Sequence, residues 1–364
     1  MSFLKYRRSV WRLEYVLLWC AYVYQQRFNH LILCLRIRKK RYHPMSEKPY
    51  VAVIGGMNMD IFGIPDEKVI PRDSNIGQIG MAVGGVGQNI AQNLARLEVP
   101  TYLITVYGDD MNGIVMEHSC AQHGIRLDYA EKLTGQRSSG YLYVTDETGD
   151  MLLGINDMKI CENITPAFLA KRLDFINHAS VCMIDANLPE ESIKWLGEHV
   201  TAPIFVDPVS IVKGKRVIPI LDKIDTLKPN RIEAEMMTGI KIMECETAQI
   251  AAAKLLEYGV KNVFISLGKD GIMAMSSSQS AHVPTMTTKI VSANGAGDCS
   301  TATIVWCRYR GITDLNEVCQ YTQAAASIAL ESEKSVPDIT PAKVATKLTQ
   351  KQLNVQQRLK AVRS

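Results

Sequence analysis

Ser292-Ala293-Asn294-Gly295-Ala296-Gly297-Asp298 is the stretch that decides the fold, and residues 299–310 after it are predicted to form a helix. Two glycines and an alanine free the backbone before the helix start, so their N–H groups converge with the helix dipole on an anion. Asp298 is expected in the first turn, where a carboxylate stays ionised at neutral pH. An anion hole beside a proton-accepting carboxylate suits phosphoryl transfer. An aspartate N-cap after a glycine turn is the alternative interpretation.

Size and charge narrow the class of protein. The 364 residues suffice for one large or two ordinary domains, and 47% apolar with 21% charged residues is typical of a soluble globular protein. Residues 1–44 hold ten Lys or Arg and one acid, so the other 31 basic and 36 acidic residues give a net charge of −5. This acidic body gives no electrostatic basis for nucleic-acid binding.

Cysteine spacing and apolar run lengths indicate the compartment. The nine cysteines form no CxxC pair and no Cys/His ligand spacing, which favours reduced thiols in the cytoplasm over disulfides or a zinc site. No stretch reaches the roughly 20 apolar residues that span a bilayer.

Residues 1–44 do not resemble the rest of the chain. Apolar runs at 16–24 and 31–35 precede a basic cluster at 36–41, and no small-residue cleavage site of a signal peptide follows. We expect a folded domain at 45–345, with residues 1–44 and a basic tail at 346–364 outside it. An amphipathic helix at a membrane surface is the alternative for the first 44 residues.

Apolar runs and helical patterns alternate along the body, which predicts an α/β fold with a doubly wound, mostly parallel sheet and helices on both faces. Strands are expected at 50–54, 102–106, 181–184, 204–206, 226–228 and 263–266, and helices at 113–123, 190–199, 231–238 and 248–258. A predicted hairpin, 141–144 with 151–155, interrupts the pattern. With residues 78–83 it is expected to form a small β lid, near 60–83 and 138–157, that excludes water from the site.

Polar residues follow two of the predicted elements. Asn58 and Asp60 come just after the first strand, where open α/β sheets bind ligands, although Asp60 also suits a turn. Gly84-Gly85-Val86-Gly87-Gln88-Asn89 opens an apolar-periodic helix and lets a ligand approach the backbone. Neither stretch fits a dinucleotide fingerprint.

Two further stretches lie at later strand ends. Asn230 and Glu233 stand one turn apart at a helix start, where a capping box is the alternative interpretation. Ser266-Leu267-Gly268-Lys269-Asp270-Gly271 follows the next strand and has the composition of a loop that wraps a nucleotide, without a P-loop motif anywhere in the sequence.

Together these pieces resemble the ribokinase-like (phosphofructokinase-B type) carbohydrate kinases over residues 48–345. Five motifs occur in that family's order: G-x-x-N-x-D, GG-x-G-x-N, N-x-x-E, the nucleotide loop and G-A-G-D. Within the family, residues 75–77, 84–94, 155–158, 206–210 and 226–230 most resemble the members that act on pseudouridine.

The resemblance implies transfer of the γ-phosphoryl group of ATP to the 5′-hydroxyl of pseudouridine. Asp298 would be the catalytic base, and the amides of Gly295, Ala296 and Gly297 the anion hole. The residues implied to contact the substrate are Asn58, Asp60, Gly84, Gly85 and Asn89, with Asn156, Asp157, Asn187 and Lys213 as weaker candidates. Those implied to contact ATP are Asn230, Ser266, Gly268, Gly271 and Gly297. Glu233 is implied to bind Mg²⁺ through water.

Two departures and two alternatives stay open. Ser292 and Asn294 differ from the family motif near a monovalent-cation loop, which leaves activation by K⁺ undecided. A ribokinase or another nucleoside kinase is the alternative enzyme. A sugar- or nucleoside-binding regulator without catalysis is the alternative of another class, and it would be expected to lose Asp298. The expected partners are the nucleoside, ATP and a second copy joined through the lid, with neither nucleic acid nor membrane.

Overall fold

The computed structural model describes residues 48–286 and 288–350. In it, the apolar runs of the sequence form the strands of a central sheet. In chain order the strands are β1 (Val51–Ile54), β2 (Asn58–Pro65), β3 (Gly77–Gly84), β4 (Thr101–Ile104), β5 (Val106–Gly108), β6 (Glu131–Leu133), β7 (Gly140–Thr145), β8 (Met151–Asp157), β9 (Val181–Asp185), β10 (Ile204–Asp207), β11 (Thr226–Leu227), β12 (Asn262–Ser266), β13 (Ile272–Ser276) and β14 (Ser280–Val283).

The α-helices lie between and after these strands. They are α1 (Val86–Arg96), α2 (Met111–Gln122), α3 (Pro166–Ala170), α4 (Leu173–Asn177), α5 (Glu190–His199), α6 (Ile211–Gly214), α7 (Arg231–Thr238), α8 (Cys245–Glu257), α9 (Ala296–Tyr309) and α10 (Leu315–Leu330), followed by a helix at 341–350. Among the described residues, no helix is long and apolar enough to cross a membrane.

The central sheet of the described chain has eight strands in the order β14-β13-β12-β11-β10-β9-β1-β4. Neighbours from β4 to β12 pair in parallel, and β13 and β14 add an antiparallel edge. Val51 and Val53 face one helical layer, which includes α1, α9 and α10, whereas Ala52 and Ile54 face the other, which includes α5, α7 and α8. The doubly wound α/β prediction is therefore confirmed.

A second sheet carries the hairpin that the sequence predicts. Four strands between residues 58 and 157 form it, in the order β3-β2-β7-β8. Asp60, Tyr141 and Asn156 occupy one row across this lid sheet, and side chains alternate between its two faces. The opposite face carries Ile61 in a row with Met81, Leu142 and Ile155. The face with the polar Asp60 row is called the polar face of the lid below, and the face with the Ile61 row is called its apolar face.

One expected strand is divided in the structure. The run at 102–106 splits at Thr105 into β4 and β5, and β5 pairs with β6 instead of joining the main sheet. The pairing of β1 with β4 ends at Ile54 and Ile104, so later residues have no neighbour in the main sheet. The segment 1–44 lies outside the described residues, and only the start of the 346–364 tail lies within them. The domain limits thus stay a prediction.

Candidate active site

The start of α9 presents backbone amides beside Asp298. Gly295 caps the helix with φ of 75°, and a Cβ atom there would collide with the carbonyl oxygen of Ser335. Only glycine therefore fits the turn. Asp298 is the third helical residue and not the cap, so the N-cap interpretation is wrong. The first-turn N–H groups lack intrahelical partners, so the start of α9 is a candidate anion site next to this carboxylate.

Asp298 contacts a residue from the other half of the domain. The Asn89 side-chain amide donates to Asp298 Oδ2 at 2.8 Å, across 209 residues of sequence. Burial, and then the negative charge of Asp207, raises the pKa of Asp298 to about 7, although Asn89 and Lys228 oppose the rise. Asp298 is therefore about half ionised at neutral pH and not fully ionised as expected, because the loss of water around it opposes the helix dipole. A pKa near the working pH suits a general base.

The first strand of the lid brings Asn58 and Asp60 together. The Asn58 side-chain amide donates to Asp60 Oδ1, within β2 and not in a turn, so the turn interpretation of Asp60 is wrong. A Cβ atom on Gly84 would collide with Asp60 Oδ2, and one on Gly85 would lie 2.6 Å from Asn58 Oδ1. Burial raises the pKa of Asp60 to about 6. These groups can accept and donate hydrogen bonds to vicinal hydroxyls.

The turn at Gly85 connects that pair with the base. Gly85 has φ of 98°, which favours glycine, and its carbonyl accepts from the Asn89 N–H at 2.8 Å. Asn89 then reaches Asp298. Asn58, Asp60, Gly85, Asn89 and Asp298 therefore form one continuous set of contacts, in which hydroxyl-binding groups adjoin a proton acceptor.

Asn187 and Lys213 adjoin the same loop. The Lys213 ammonium donates to Asn187 Oδ1, and burial lowers the pKa of Lys213. A Cβ atom on Gly56 would lie 3.3 Å from Asn187 Nδ2, which places the pair beside the segment that leads to Asn58.

The two lid candidates lie on opposite faces of β8. Asn156 shares the row and the face of Asp60. Asp157 is in register with Gly140 and Met59 on the other face, and it pairs with Arg137 at 3.2 Å. The lid therefore brings Asn156, and not Asp157, to the Asp60 face.

Asn230 and Glu233 form the capping box that the sequence analysis weighed. The Glu233 N–H donates to Asn230 Oδ1 at 2.9 Å, and the Asn230 N–H donates to Glu233 Oε2 at 2.8 Å. Burial raises the pKa of Glu233, and the charge of Asp207 acts in the same direction. A buried carboxylate near a second one is an oxygen donor that suits a hard divalent cation.

The loop after β12 lies next to this cap. The Ser266 N–H donates to the carbonyl of Pro229 at 3.0 Å, and Arg231 donates to the Leu267 carbonyl at 3.0 Å. Gly268 has φ of 64° and open space where a side chain would be, whereas a Cβ atom on Gly271 would collide with the Val283 carbonyl. Ser266 and Gly268 therefore border the capped start of α7.

Sequence reasoning missed Asp207 and Lys228 as site residues. They form a buried ion pair at 3.7 Å, and Thr301 donates to Asp207 Oδ2 at 2.7 Å. A Cβ atom on Gly297 would lie 3.6 Å from Lys228 Nζ, so the ammonium stands beside the anion site. Both residues end or follow central strands, and the strand-end rule applied to Asn58 would have found them.

Protein ligands alone do not form a metal cluster in the described part of the chain. Residues 48–286 and 288–350 contain no group of three or more His, Cys, Asp or Glu side chains arranged around one point. Magnesium in phosphoryl transfer is commonly held by one or two carboxylates, water and phosphate oxygens. The carboxylate of Glu233 fits that mode of binding.

The sequence and the fold are similar to those of known carbohydrate kinases. Residues 48–342 match the model of the pfkB family of carbohydrate kinases. The chain is 37% identical over 303 residues to pseudouridine kinase of Escherichia coli (strain K12), covering 82% of this chain and 96% of the relative. A putative sugar kinase from Clostridium perfringens superposes with a TM-score of 0.74 at 27% identity, over 84% of this chain and 96% of that one. Ribokinase from Thermotoga maritima shares the fold, with a TM-score of 0.73 at 20% identity over 83% and 100% of the chains.

Proposed function

Because the chain belongs to the pfkB family of carbohydrate kinases, ATP-dependent enzymes that phosphorylate an alcohol group, we propose that it converts pseudouridine to pseudouridine 5′-phosphate. The observation that carries the proposal is the Asn89–Asp298 bond at 2.8 Å, which joins a base and its anion site to the groups around Asp60. The choice of pseudouridine rests on the 37% identity with the Escherichia coli enzyme over 96% of its length.

The proposed reaction is a single in-line displacement. Asp298 accepts the proton of the 5′-hydroxyl as its oxygen attacks the γ-phosphorus, and the bond to the β–γ bridging oxygen breaks to leave ADP. The amides of Gly295, Ala296 and Gly297 stabilise charge on the phosphoryl oxygens, and the Lys228 ammonium adds a positive charge at the same end.

The acceptor is proposed to bind on the lid side. Asn58, Asp60 and Asn89 bond the ribose hydroxyls, and Gly84 and Gly85 let the sugar approach the backbone. The candidates for contact with the nucleobase are Asn187, Lys213, Asn156 and Asp157. Asp157 has the least support, because it lies on the face of the lid opposite to Asp60.

ATP is proposed to bind across α7 and α9. Asn230, Ser266, Gly268, Gly271 and Gly297 surround it, and Glu233 holds Mg²⁺ through water. The ion would neutralise phosphate charge when bound.

A substrate panel tests the proposal. Pseudouridine, uridine, adenosine and ribose are each supplied with ATP and Mg²⁺, ADP release is measured, and the product is identified by ³¹P NMR. We expect kcat/KM for pseudouridine to exceed the others by at least about tenfold, because a site built to bond one base rejects its analogues. Preference for ribose would favour a ribokinase, and binding without turnover would favour a regulator.

Two copies are proposed to pack through the apolar lid face. Ile79, Met81, Leu142, Leu153 and Ile155 are exposed on it. An apolar patch of this kind on a soluble protein marks an interface. Met81→Asp should convert a dimer into a monomer in sedimentation velocity, with Ile232→Asp, an exposed site on α7, as the control.

We also propose a cytoplasmic location, which the free thiols of the seven described cysteines support.

A further inference from the structure

Asp185 is a buried carboxylate at the carboxyl end of β9, outside the residues assigned above. It is 0% exposed. Asp185 Oδ2 accepts from the Gly56 N–H at 2.8 Å and from the Gly87 N–H at 2.7 Å, and Oδ1 accepts from the Asn187 N–H at 2.9 Å. Three backbone segments thus converge on one side chain.

Two glycines leave the space that this carboxylate occupies. A Cβ atom on Gly55 would lie 2.5 Å from Asp185 Oδ2, and one on Gly87 would lie 3.0 Å from the same atom. Real Cβ atoms essentially never lie under 3.0 Å from another atom, so any larger residue at Gly55 would displace the carboxylate. The glycines after β1 and at the start of α1 therefore leave room for the Asp185 carboxylate, as well as for the approach of a ligand.

Each of the three segments carries a proposed acceptor contact. Gly56 stands two residues before Asn58, and Gly87 stands two residues before Asn89. The third segment is Asn187 itself, whose side chain accepts from Lys213. The Gln88 N–H also donates to the Gly56 carbonyl at 3.1 Å, which joins the first two segments directly.

We propose that Asp185 is a positioning residue that fixes Asn58, Asn89 and Asn187 relative to one another and so sets the geometry of acceptor binding. This inference rests on the proposed function, since it requires that those three residues contact the acceptor. Asp185 acts through backbone amides and does not itself touch the substrate.

A carboxylate suits this position better than an amide. Both of its oxygens accept hydrogen bonds, whereas an asparagine offers one oxygen and directs an NH₂ group at the remaining backbone donors. Burial raises the pKa of Asp185, and the backbone donors of Gly56, Gly87 and Asn187 oppose that rise. The convergent amides therefore offset part of the effect of burial, which still prevails.

Asp185→Asn in the full chain is the test, because the two side chains have nearly the same shape. We expect KM for the acceptor to rise roughly 10–100-fold, since small displacements of positioning groups have effects of that size. KM for ATP should stay unchanged. The acceptor is whichever compound the wild type phosphorylates with the highest kcat/KM. A substrate other than pseudouridine would overturn the proposed function without affecting this result.

Asp225→Asn is the matched control. Asp225 is also a buried carboxylate, but it stands at the amino end of β11, whereas Asp185 stands at the carboxyl end of β9, and it accepts from the Thr226 hydroxyl at 3.0 Å. This variant should lower Tm and leave both KM values unchanged.

Two outcomes would overturn the proposal. One is Asp185→Asn with both KM values unchanged, and the other is an equal rise in both. If that variant does not fold, Gly55→Ala replaces it, because the added methyl group would lie 2.5 Å from Asp185 Oδ2 and so displaces the carboxylate while keeping its charge. The expected result is again a rise in KM for the acceptor alone, and unchanged KM values would reject the role.

Discussion

Asp298→Asn separates proton transfer from geometry at the candidate site. The substituted side chain keeps its shape and an oxygen that can accept the Asn89 bond of 2.8 Å, so the contact between α1 and α9 should survive. It cannot accept the hydroxyl proton. We expect kcat to fall by about 10²–10⁴, which corresponds to roughly 3–5 kcal/mol of the barrier. KM for ATP should change little, because the anion site is backbone.

The same substitution should stabilise the fold, and only above acidic pH. The pKa of Asp298 is raised from 3.8 to about 7 in the folded chain. Because the folded chain holds this proton more tightly than the unfolded chain, the free energy of unfolding of the wild type falls as pH increases from 3.8 to 7. The fall over that whole range is up to about 4 kcal/mol. The variant lacks this loss. Its stability advantage should therefore be near zero at pH 4 and largest at pH 8.

Three measurements check this reasoning on wild type and variant. They are ADP release under saturating substrates, kcat/KM as a function of pH, and urea unfolding at pH 4 and pH 8. The wild-type kcat/KM should decline as pH falls below about 7, where Asp298 becomes protonated. Near-normal turnover in the variant would remove Asp298 from the chemistry. An equal gain in stability at both pH values would refute the burial argument.

The remaining predictions concern the two ends of the site. Asp60→Ala should raise KM for the acceptor by roughly 10–150-fold, which is equivalent to the loss of a charged hydrogen bond of about 1.5–3 kcal/mol. A rise in KM for ATP instead would mean that the acceptor site and the ATP site have been assigned the wrong way round. Lys228→Met should lower kcat about tenfold or more without changing KM for the acceptor, because it removes the charge beside Gly297; circular dichroism must show the variant folded, and unchanged turnover would contradict the role.

Strand-end reasoning predicted much of this architecture because its signals are local. The apolar run at β1 and the polar residues after it identify both a parallel strand and a ligand edge. The Asn89–Asp298 bond could not be predicted in the same way, since it joins residues 209 positions apart. The raised pKa of Asp298 has the same kind of origin: the helix start is local, whereas the burial and the Asp207 charge come from distant elements.

The alternation of β2 has a consequence for insertions and deletions in the gene. Asn58 and Asp60 lie on the polar face of the lid, and Ile61 lies on the apolar face, because successive residues of a strand point in opposite directions. One codon gained or lost within the strand would exchange the two faces from that point onward. In-frame insertion scanning should find no functional variants across 58–62, and many in the exposed connection at 67–68 and 70–75, beyond the last backbone hydrogen bond between the two strands, from the Asp66 N–H to the Ile76 carbonyl.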